Sequence, residues 1–270
     1  MNVGMITCTY YMKIYGYKAP ANFDWNEMCK KWRDGFHYDD FLNLAHEIHE
    51  IGFNSMEIWE PMFSYRNYTH EDAARMAEDL RKMGFQDLAY CIGGWNGGDV
   101  EEVEPAYAFA HAMGCRVCVG CLRKTDAELI LPTLQKMGEK YDMLYAIENH
   151  PEPNVEKPED VAALADRFPR VGANLDTGIY NMQGYDVLAT ADLLKDRIYH
   201  VHFKDSPRGG EGCRPIGDAD TPCAALMKKL AEWNYSYMLS VEYEYPTNPL
   251  PGLYKSMGYM KGVLDTMELY

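Results

Sequence analysis

The sequence predicts a (β/α)₈ TIM barrel, and three observations support this fold class. Eight short apolar runs of strand-like composition alternate with eight stretches whose apolar residues recur at helical spacing. The 270 residues leave about 34 for each strand and its helix, which suits a single barrel of roughly 250 residues. Four of the runs also end in acidic or imidazole side chains, at the strand ends where parallel α/β folds bind ligands.

The strand-like runs contain β-branched, aromatic and other apolar residues. They occupy residues 3–10, 55–59, 87–92, 116–122, 143–148, 172–176, 198–203 and 237–243. A doubly wound open sheet is the alternative arrangement of such runs. The glycine-rich residues 93–98 lack the Gly-x-Gly-x-x-Gly spacing of a dinucleotide-binding turn, so we interpret them as a loop.

The amphipathic stretches follow the strands in order and predict the eight helices. They occupy residues 41–51, 72–83, 103–113, 127–137, 158–168, 187–194, 222–233 and 254–267. Thr69 and Pro158 stand where helices are expected to begin, and Gly52 and Gly84 stand where helices are expected to end. Strand and helix signals therefore agree on the same repeating unit.

The connection after the first strand is unusually long, running from about residue 11 to residue 39. We interpret residues 1–270 as one barrel domain with a loop insertion at 11–39. Loops of this length inside a compact domain are usually functional. Its aromatic residues, among them Trp25 and Trp32, favour a lid or sugar-stacking wall over the barrel mouth. A small ornamental subdomain or a contact between subunits of a homo-oligomer is the other interpretation, and both remain open.

Composition and charge restrict the partners and the compartment. The formal net charge of −15 argues against nucleic acid and anionic membrane surfaces. The sequence begins without a basic segment leading into an apolar run, and no apolar run is long enough to span a bilayer. We therefore expect a cytoplasmic protein with free thiols. Cys115, Cys118 and Cys121 have the spacing of a zinc or iron–sulfur site, but their strand-like context favours small buried side chains.

The polar strand ends predict a metal site. Glu148, Asp176, His202 and Glu242 end or nearly end strands five to eight, separated by 28, 26 and 40 residues. Consecutive barrel strands are neighbours, so the four side chains are expected to converge at the mouth. Three carboxylates there would repel one another unless a cation binds between them. Three oxygen ligands and one imidazole suit Mn²⁺ best, with Mg²⁺, Zn²⁺ and Co²⁺ as the alternatives.

The same segments resemble a known superfamily. The motifs are Ile-Glu-Asn-His at 147–150, Asn-Leu-Asp-Thr-Gly at 174–178, His-Val-His-Phe-Lys-Asp at 200–205, Arg-Pro-Ile-Gly-Asp at 214–218 and Leu-Ser-Val-Glu at 239–242. They resemble the xylose-isomerase-like barrels, and within them the sugar phosphate isomerase/epimerase group with its ketose 3-epimerases and inosose dehydratases. The resemblance implies the same four metal ligands and places a substrate-binding arginine at Arg208. Where many of these epimerases have a histidine three residues after the metal aspartate, this chain has Ile179.

The predicted site supports removal of a proton next to a carbonyl. A metal ion would act as a Lewis acid, and Glu148 and Glu242 would act as base and acid. Return of the proton gives an epimerase or isomerase of a sugar, keto-sugar or cyclitol, which is the function that we expect. Expulsion of a β-substituent gives a lyase of the inosose dehydratase type, and a sugar-binding barrel without turnover is a further alternative. A multi-zinc nuclease disagrees with the single histidine of the ligand set and with the negative charge.

Further residues near the strand ends are candidates for substrate binding. His150 shares the strand face of Glu148, and packing beside the site is its alternative role. Glu57 ends the inward face of strand two, and Lys204 follows the metal histidine. Lys204 could instead pair with Asp205. His200 points inward at a deeper level, so we interpret it as a core histidine.

Overall fold

The computed structural model describes residues 1–95 and 99–268 and contains a closed barrel of eight parallel strands. Each strand pairs with its neighbours in sequence, and the last pairs with the first. The predicted (β/α)₈ barrel is therefore confirmed. The strands are β1 (Val3–Ile6), β2 (Ser55–Trp59), β3 (Asp87–Trp95), β4 (Val117–Leu122), β5 (Leu144–Glu148), β6 (Val171–Asp176), β7 (Ile198–Phe203) and β8 (Leu239–Val241).

The helices surround the barrel and alternate with the strands. Those of the described residues are α1 (Trp25–Gly35), α2 (Tyr38–Ile51), α3 (His70–Met83), α4 (Val103–Ala112), α5 (Ala127–Tyr141), α6 (Pro158–Arg167), α7 (Thr177–Met182), α8 (Val187–Leu194), α9 (Cys223–Glu232) and α10 (Leu250–Asp265). The predicted boundary signals appear in the structure. Thr69 caps α3 through the backbone N–H of Asp72, and Gly52 ends α2 in the left-handed conformation at φ 111°.

Residues 11–39, which were predicted to form a long loop, are largely helical. A 3-10 helix covers Thr7–Tyr15 directly after β1, and α1 follows at Trp25–Gly35. The indole Nε1 of Trp32 donates a hydrogen bond to the carbonyl of Tyr11 at 3.0 Å, which ties the two segments together. The apolar face of α1 is buried against the barrel, so this segment is packed structure.

The third strand is longer than predicted and continues through Gly93 and Gly94 to Trp95. Its register against β4 shifts between Cys91 and Gly94. A β-carbon at Gly94 would collide with the sulfur of Cys121, so only glycine allows the two strands to approach this closely. The predicted loop at 93–98 is thus partly strand, and its residues 96–98 lie outside the described residues.

The apolar core lies between the barrel and its helices, and the cysteines belong to it or border it. All eight cysteines are free, and Cys115 and Cys118 are buried. Among the residues that the structure describes, no cysteine belongs to a group of side chains able to hold a metal ion. None of the helices in residues 1–95 and 99–268 combines the length and the apolarity needed to cross a bilayer.

Candidate active site

A cavity of about 210 Å³ opens at the mouth formed by the C-terminal ends of the strands. Its wall combines apolar and aromatic side chains on one part with charged side chains on another. This is the position at which barrel enzymes carry their active sites. The charged and aromatic lining residues are Trp25, Trp59, Glu148, His150, Lys204, Glu242 and Glu244.

Four side chains from consecutive strands converge beside this cavity. Glu148 and Asp176 are the last residues of β5 and β6, His202 lies near the end of β7, and Glu242 follows β8. The backbone register places Asp176 opposite His202, and His202 opposite Ser240. One nitrogen or oxygen atom from each of the four lies within 4.8 Å of the others, and all four residues are buried. The structure thus brings together the set that was predicted from the strand ends.

His202 is the centre of this group, because its ring nitrogens face carboxylates on opposite sides. Nδ1 lies 3.1 Å from Oε1 of Glu148 and 3.0 Å from Oε2 of Glu242. Nε2 lies 2.9 Å from Oε2 of Glu57. Burial lowers the pKa of His202, but the surrounding carboxylates of Glu57, Glu242 and Glu148 outweigh burial and hold that pKa well above its usual value.

Glu57 lies one layer below the cavity and outside its lining, so its contact with substrate stays a prediction. The residue has no exposed surface. Its Oε2 atom contacts Nε2 of His200 at 2.8 Å and accepts a hydrogen bond from Oγ of Ser240 at 2.7 Å, in addition to its contact with His202. Burial raises the pKa of Glu57, but the two histidines outweigh it and hold the carboxylate in its charged form. His200 is the buried core histidine that the sequence predicted, with Glu57 as its partner.

Lys204 is enclosed by carboxylates rather than paired with Asp205. Its Nζ atom lies 3.0 Å from Oδ2 of Asp176 and 2.9 Å from Oε2 of both Glu242 and Glu244. Asp205 instead accepts backbone N–H bonds from a following loop. Carboxylates of the site therefore have a basic partner, which the sequence reading did not anticipate. Burial lowers the pKa of Lys204, and the three carboxylates raise it well above its usual value.

The donor set fits a divalent cation. Oδ1 of Asp176 accepts the backbone N–H of Ile179 at 2.8 Å, but its Oδ2 accepts no hydrogen bond. Oε2 of Glu242 is likewise buried without a hydrogen bond, although Lys204 lies near both atoms. Burial raises the pKa of Asp176, Lys204 lowers it, and the neighbouring glutamates raise it again, to about 6. Unused oxygen lone pairs beside an imidazole are the arrangement that a hard or borderline cation requires.

The two remaining candidates lie in different environments. His150 lines the cavity, and its Nε2 atom lies 3.3 Å from Oε1 of Glu148. Burial lowers the pKa of His150, but Glu148 outweighs it and raises the pKa to about 9. Arg208 is exposed and lies outside the cavity lining, so its role in substrate binding stays a prediction. A turn at Pro207 directs it outward, where its guanidinium donates to the carbonyls of Gly184 and Tyr185.

Sequence reasoning missed two residues that line the cavity. Glu244 lies two residues after Glu242, and that alternation was the signal that could have identified it. Trp59 follows Glu57 on the same strand face and reaches the cavity, whereas Glu57 does not. The side chain of β2 that contributes to the cavity wall is thus the aromatic one.

Similar proteins support the assignment of the fold. A D-tagatose 3-epimerase-like protein has 17% sequence identity and a TM-score of 0.74, covering 99% of this chain and 98% of its own. The D-allulose 3-epimerase of Methylomonas sp. has 12% identity and a TM-score of 0.71, with 98% of each chain covered. A xylose isomerase-like TIM barrel protein from Mycobacterium smegmatis, in complex with magnesium, has 13% identity and a TM-score of 0.74, covering 100% of this chain and 98% of its own.

Sequence comparison identifies the family directly. No protein with curated annotation matches the chain at a significant level. The sequence model of the xylose isomerase-like TIM barrels matches residues 45–263, which is most of the chain. The protein therefore belongs to the xylose isomerase-like TIM barrel family.

Proposed function

We propose that this protein is a divalent-metal-dependent sugar isomerase or epimerase that removes a proton from a carbon next to a carbonyl. The observation that carries the proposal is the convergence of Glu148, Asp176, His202 and Glu242 within 4.8 Å at the barrel mouth. The family and its epimerase-like structural neighbours support an enzyme that acts on sugars.

Glu148, Asp176 and Glu242 would each bind the cation through one carboxylate oxygen, and His202 would bind it through Nδ1. Mn²⁺ suits this set best, and the neighbour crystallised with magnesium supports a hard divalent ion. A bound divalent cation supplies Lewis-acid polarisation of the substrate carbonyl. This property would make the adjacent C–H bond acidic enough for a carboxylate to deprotonate.

Glu148 and Glu242 are the acid–base pair in this proposal. Glu148 ends β5 and Glu242 follows β8, the strands on either side of β6 and β7, and each borders the cavity. One carboxylate takes the proton from the substrate, and the other returns a proton to the opposite face or to the adjacent carbon. Lys204 and His150 are the basic side chains of the cavity wall, and they would bind substrate hydroxyl groups.

The size and the lining of the cavity favour an uncharged ligand of one sugar ring. Its volume of about 210 Å³ lies below the roughly 300–1,000 Å³ of pockets for larger ligands. Glu244 adds a further carboxylate to the lining, and Arg208 lies elsewhere. We therefore propose an unphosphorylated sugar, keto-sugar or cyclitol as the group bound in the cavity.

A lyase is the second candidate, because it shares the first proton removal. The observation that favours it is the ammonium group of Lys204 in the cavity wall, 2.9 Å from Glu242. An ammonium group in that position is able to donate a hydrogen bond to a departing hydroxyl or aglycone oxygen and to stabilise the negative charge that develops on it. The two candidates differ only in what happens after the C–H bond is broken.

Solvent exchange tests the proposal. The metal-loaded protein is incubated in D₂O with a panel of ketoses, keto-sugars and inososes, and deuterium incorporation is followed by mass spectrometry. We expect incorporation that depends on added metal and that falls by several orders of magnitude in Glu148→Gln and Glu242→Gln. Recovered labelled sugar indicates an epimerase or isomerase, and loss of water or an aglycone indicates a lyase.

Glu244→Gln is the matched control for this experiment. It changes a carboxylate of the same cavity that lies outside the donor set, so this variant should keep its bound metal. Tight binding of a panel sugar without exchange or turnover would contradict the enzymatic proposal and favour a sugar-binding barrel.

A further inference from the structure

An aromatic row runs from the inside of the cavity to the protein surface. Trp59 lines the cavity and is 3% exposed, and its ring centroid lies 5.8 Å from that of Trp25. Trp25 lines the same cavity but is 41% exposed, and it lies 5.7 Å from Tyr11 and 6.3 Å from Phe23. Phe23 ends the row and is 40% exposed. A buried wall of the cavity thus continues without interruption onto the surface.

The helix that carries this row is firmly attached to the barrel. Arg33 of α1 donates through Nε to Oε1 of Glu60 at 3.2 Å and through Nη2 to Oε2 at 2.7 Å, and Glu60 is buried. Trp32 is buried on the same helix and bonds to the carbonyl of Tyr11. Because a bidentate ion pair with a buried carboxylate is a strong, directional contact, the position of Trp25 at the start of α1 is fixed.

A further aromatic pair follows β8. Tyr245 is 38% exposed and stacks on Tyr243, which is buried, with ring centroids 5.3 Å apart and ring planes inclined by 7°. The two tyrosines flank Glu244 in sequence, but neither lines the cavity. The exposed aromatic side chains that continue the cavity wall are therefore those of the row.

We propose that the outer part of the aromatic row, which consists of Tyr11, Phe23 and Trp25, is a subsite for a second, uncharged ring that is joined to the sugar in the cavity. The substrate would then be a glycoside whose ring in the cavity carries a keto group, with a sugar or an aryl group as its second ring. The cavity has room for one ring, and the row begins inside it. Flat aromatic faces bind apolar ring faces by stacking. This inference rests on the proposed function only in placing a sugar in the cavity.

Binding of three glucosides tests the subsite by calorimetry with the metal-loaded protein. The probes are methyl β-D-glucopyranoside, phenyl β-D-glucopyranoside and cellobiose, which share one ring and differ in the second. We expect the phenyl glucoside, cellobiose or both to bind the wild type roughly 2–12-fold more tightly than the methyl glucoside, the range of one aromatic contact. Phe23→Ala should remove that advantage. Leu129→Ala, which changes an apolar residue of α5 that is 56% exposed, should preserve it.

Equal affinity of the wild type for all three probes would overturn the subsite, as would an advantage that survives in Phe23→Ala. Sedimentation of the wild type and of Phe23→Ala measures the oligomeric state as a further test. If Phe23→Ala converts a dimer to a monomer without changing glucoside binding, the row is a contact between copies of this chain. A protein that prefers the two-ring probes but shows no deuterium exchange with any substrate would contradict the proposed function and leave the subsite standing.

Discussion

Glu57 offers a sharp test of how the site is built, because it touches the site without lining the cavity. Its carboxylate contacts His202, His200 and Ser240 within 2.9 Å and has no exposed surface. A carboxylate that accepts Nε2–H of a metal-binding histidine fixes the ring so that Nδ1 faces the metal. Glu57→Gln keeps the size of the side chain, but its amide group would face an imidazole N–H as donor against donor.

The expected magnitude follows from these contacts. Breaking a buried ion pair by removing one charge destabilises a protein by about 3–5 kcal/mol. At about 2–4 °C per kcal/mol, the melting temperature of the metal-free protein should fall by roughly 6–20 °C. Loss of such an outer carboxylate weakens metal binding by roughly 10–100-fold. The assay is a Mn²⁺ titration by calorimetry together with differential scanning calorimetry of the metal-free protein.

Glu60→Gln is the matched control for this prediction. Glu60 is also a buried carboxylate near the end of β2, but its partners are Arg33 and Arg66 rather than the histidines. Both variants should therefore be less stable, while only Glu57→Gln should lose metal affinity. Equal Mn²⁺ affinity in the two variants would refute the positioning role of Glu57. If Glu57→Gln does not fold, Ser240→Ala removes one of the contacts and should give the same pattern more weakly.

Three further predictions concern pH, the aromatic wall and the thiols. The pKa of Asp176 is raised to about 6, so its protonated form stabilises the metal-free fold at low pH. This contribution should be lost as pH rises through 6, while Mn²⁺ affinity increases. Calorimetry between pH 5 and 7 measures both changes. Trp25→Ala should weaken sugar binding with metal content unchanged, whereas Trp32→Ala removes a buried ring and should lower stability by about 3–5 kcal/mol in chemical unfolding. Partial burial raises the pKa of Cys121 to about 12, so its alkylation by iodoacetamide at pH 7.5 should be slow, and rapid labelling of Cys121 in the native protein would contradict the raised pKa.

The convergence of the four candidate ligands could be predicted from the sequence because it depends on local pattern and on strand order alone. Each of Glu148, Asp176, His202 and Glu242 stands where an apolar strand meets its loop, and parallel neighbours bring such ends together. The depth of a residue inside the barrel does not follow from that pattern. Glu57 shares its strand face with Trp59, and only the stagger of the strands places the glutamate a layer lower.

Contacts that depend on loop geometry or on several strands at once could not be predicted. Arg208 follows β7 at the distance that the family resemblance indicates, but the turn at Pro207 points it at the carbonyls of Gly184 and Tyr185. Lys204 stands next to Asp205 in sequence, yet it pairs with carboxylates from β6 and from the segment after β8. Neither set of contacts follows from the sequence, because sequence proximity does not determine which distant groups a side chain meets.

The most direct test of the central claim is anomalous diffraction from crystals of the protein grown with Mn²⁺. The claim is that Glu148, Asp176, His202 and Glu242 together hold one divalent cation at the barrel mouth. We expect one anomalous peak per chain, in contact with these four side chains and with Nδ1 of His202 as the nitrogen ligand. A peak among Glu57, His200 and His202, which form the other cluster of potential ligands in the described residues, would contradict the claim, and so would the absence of any peak at the mouth.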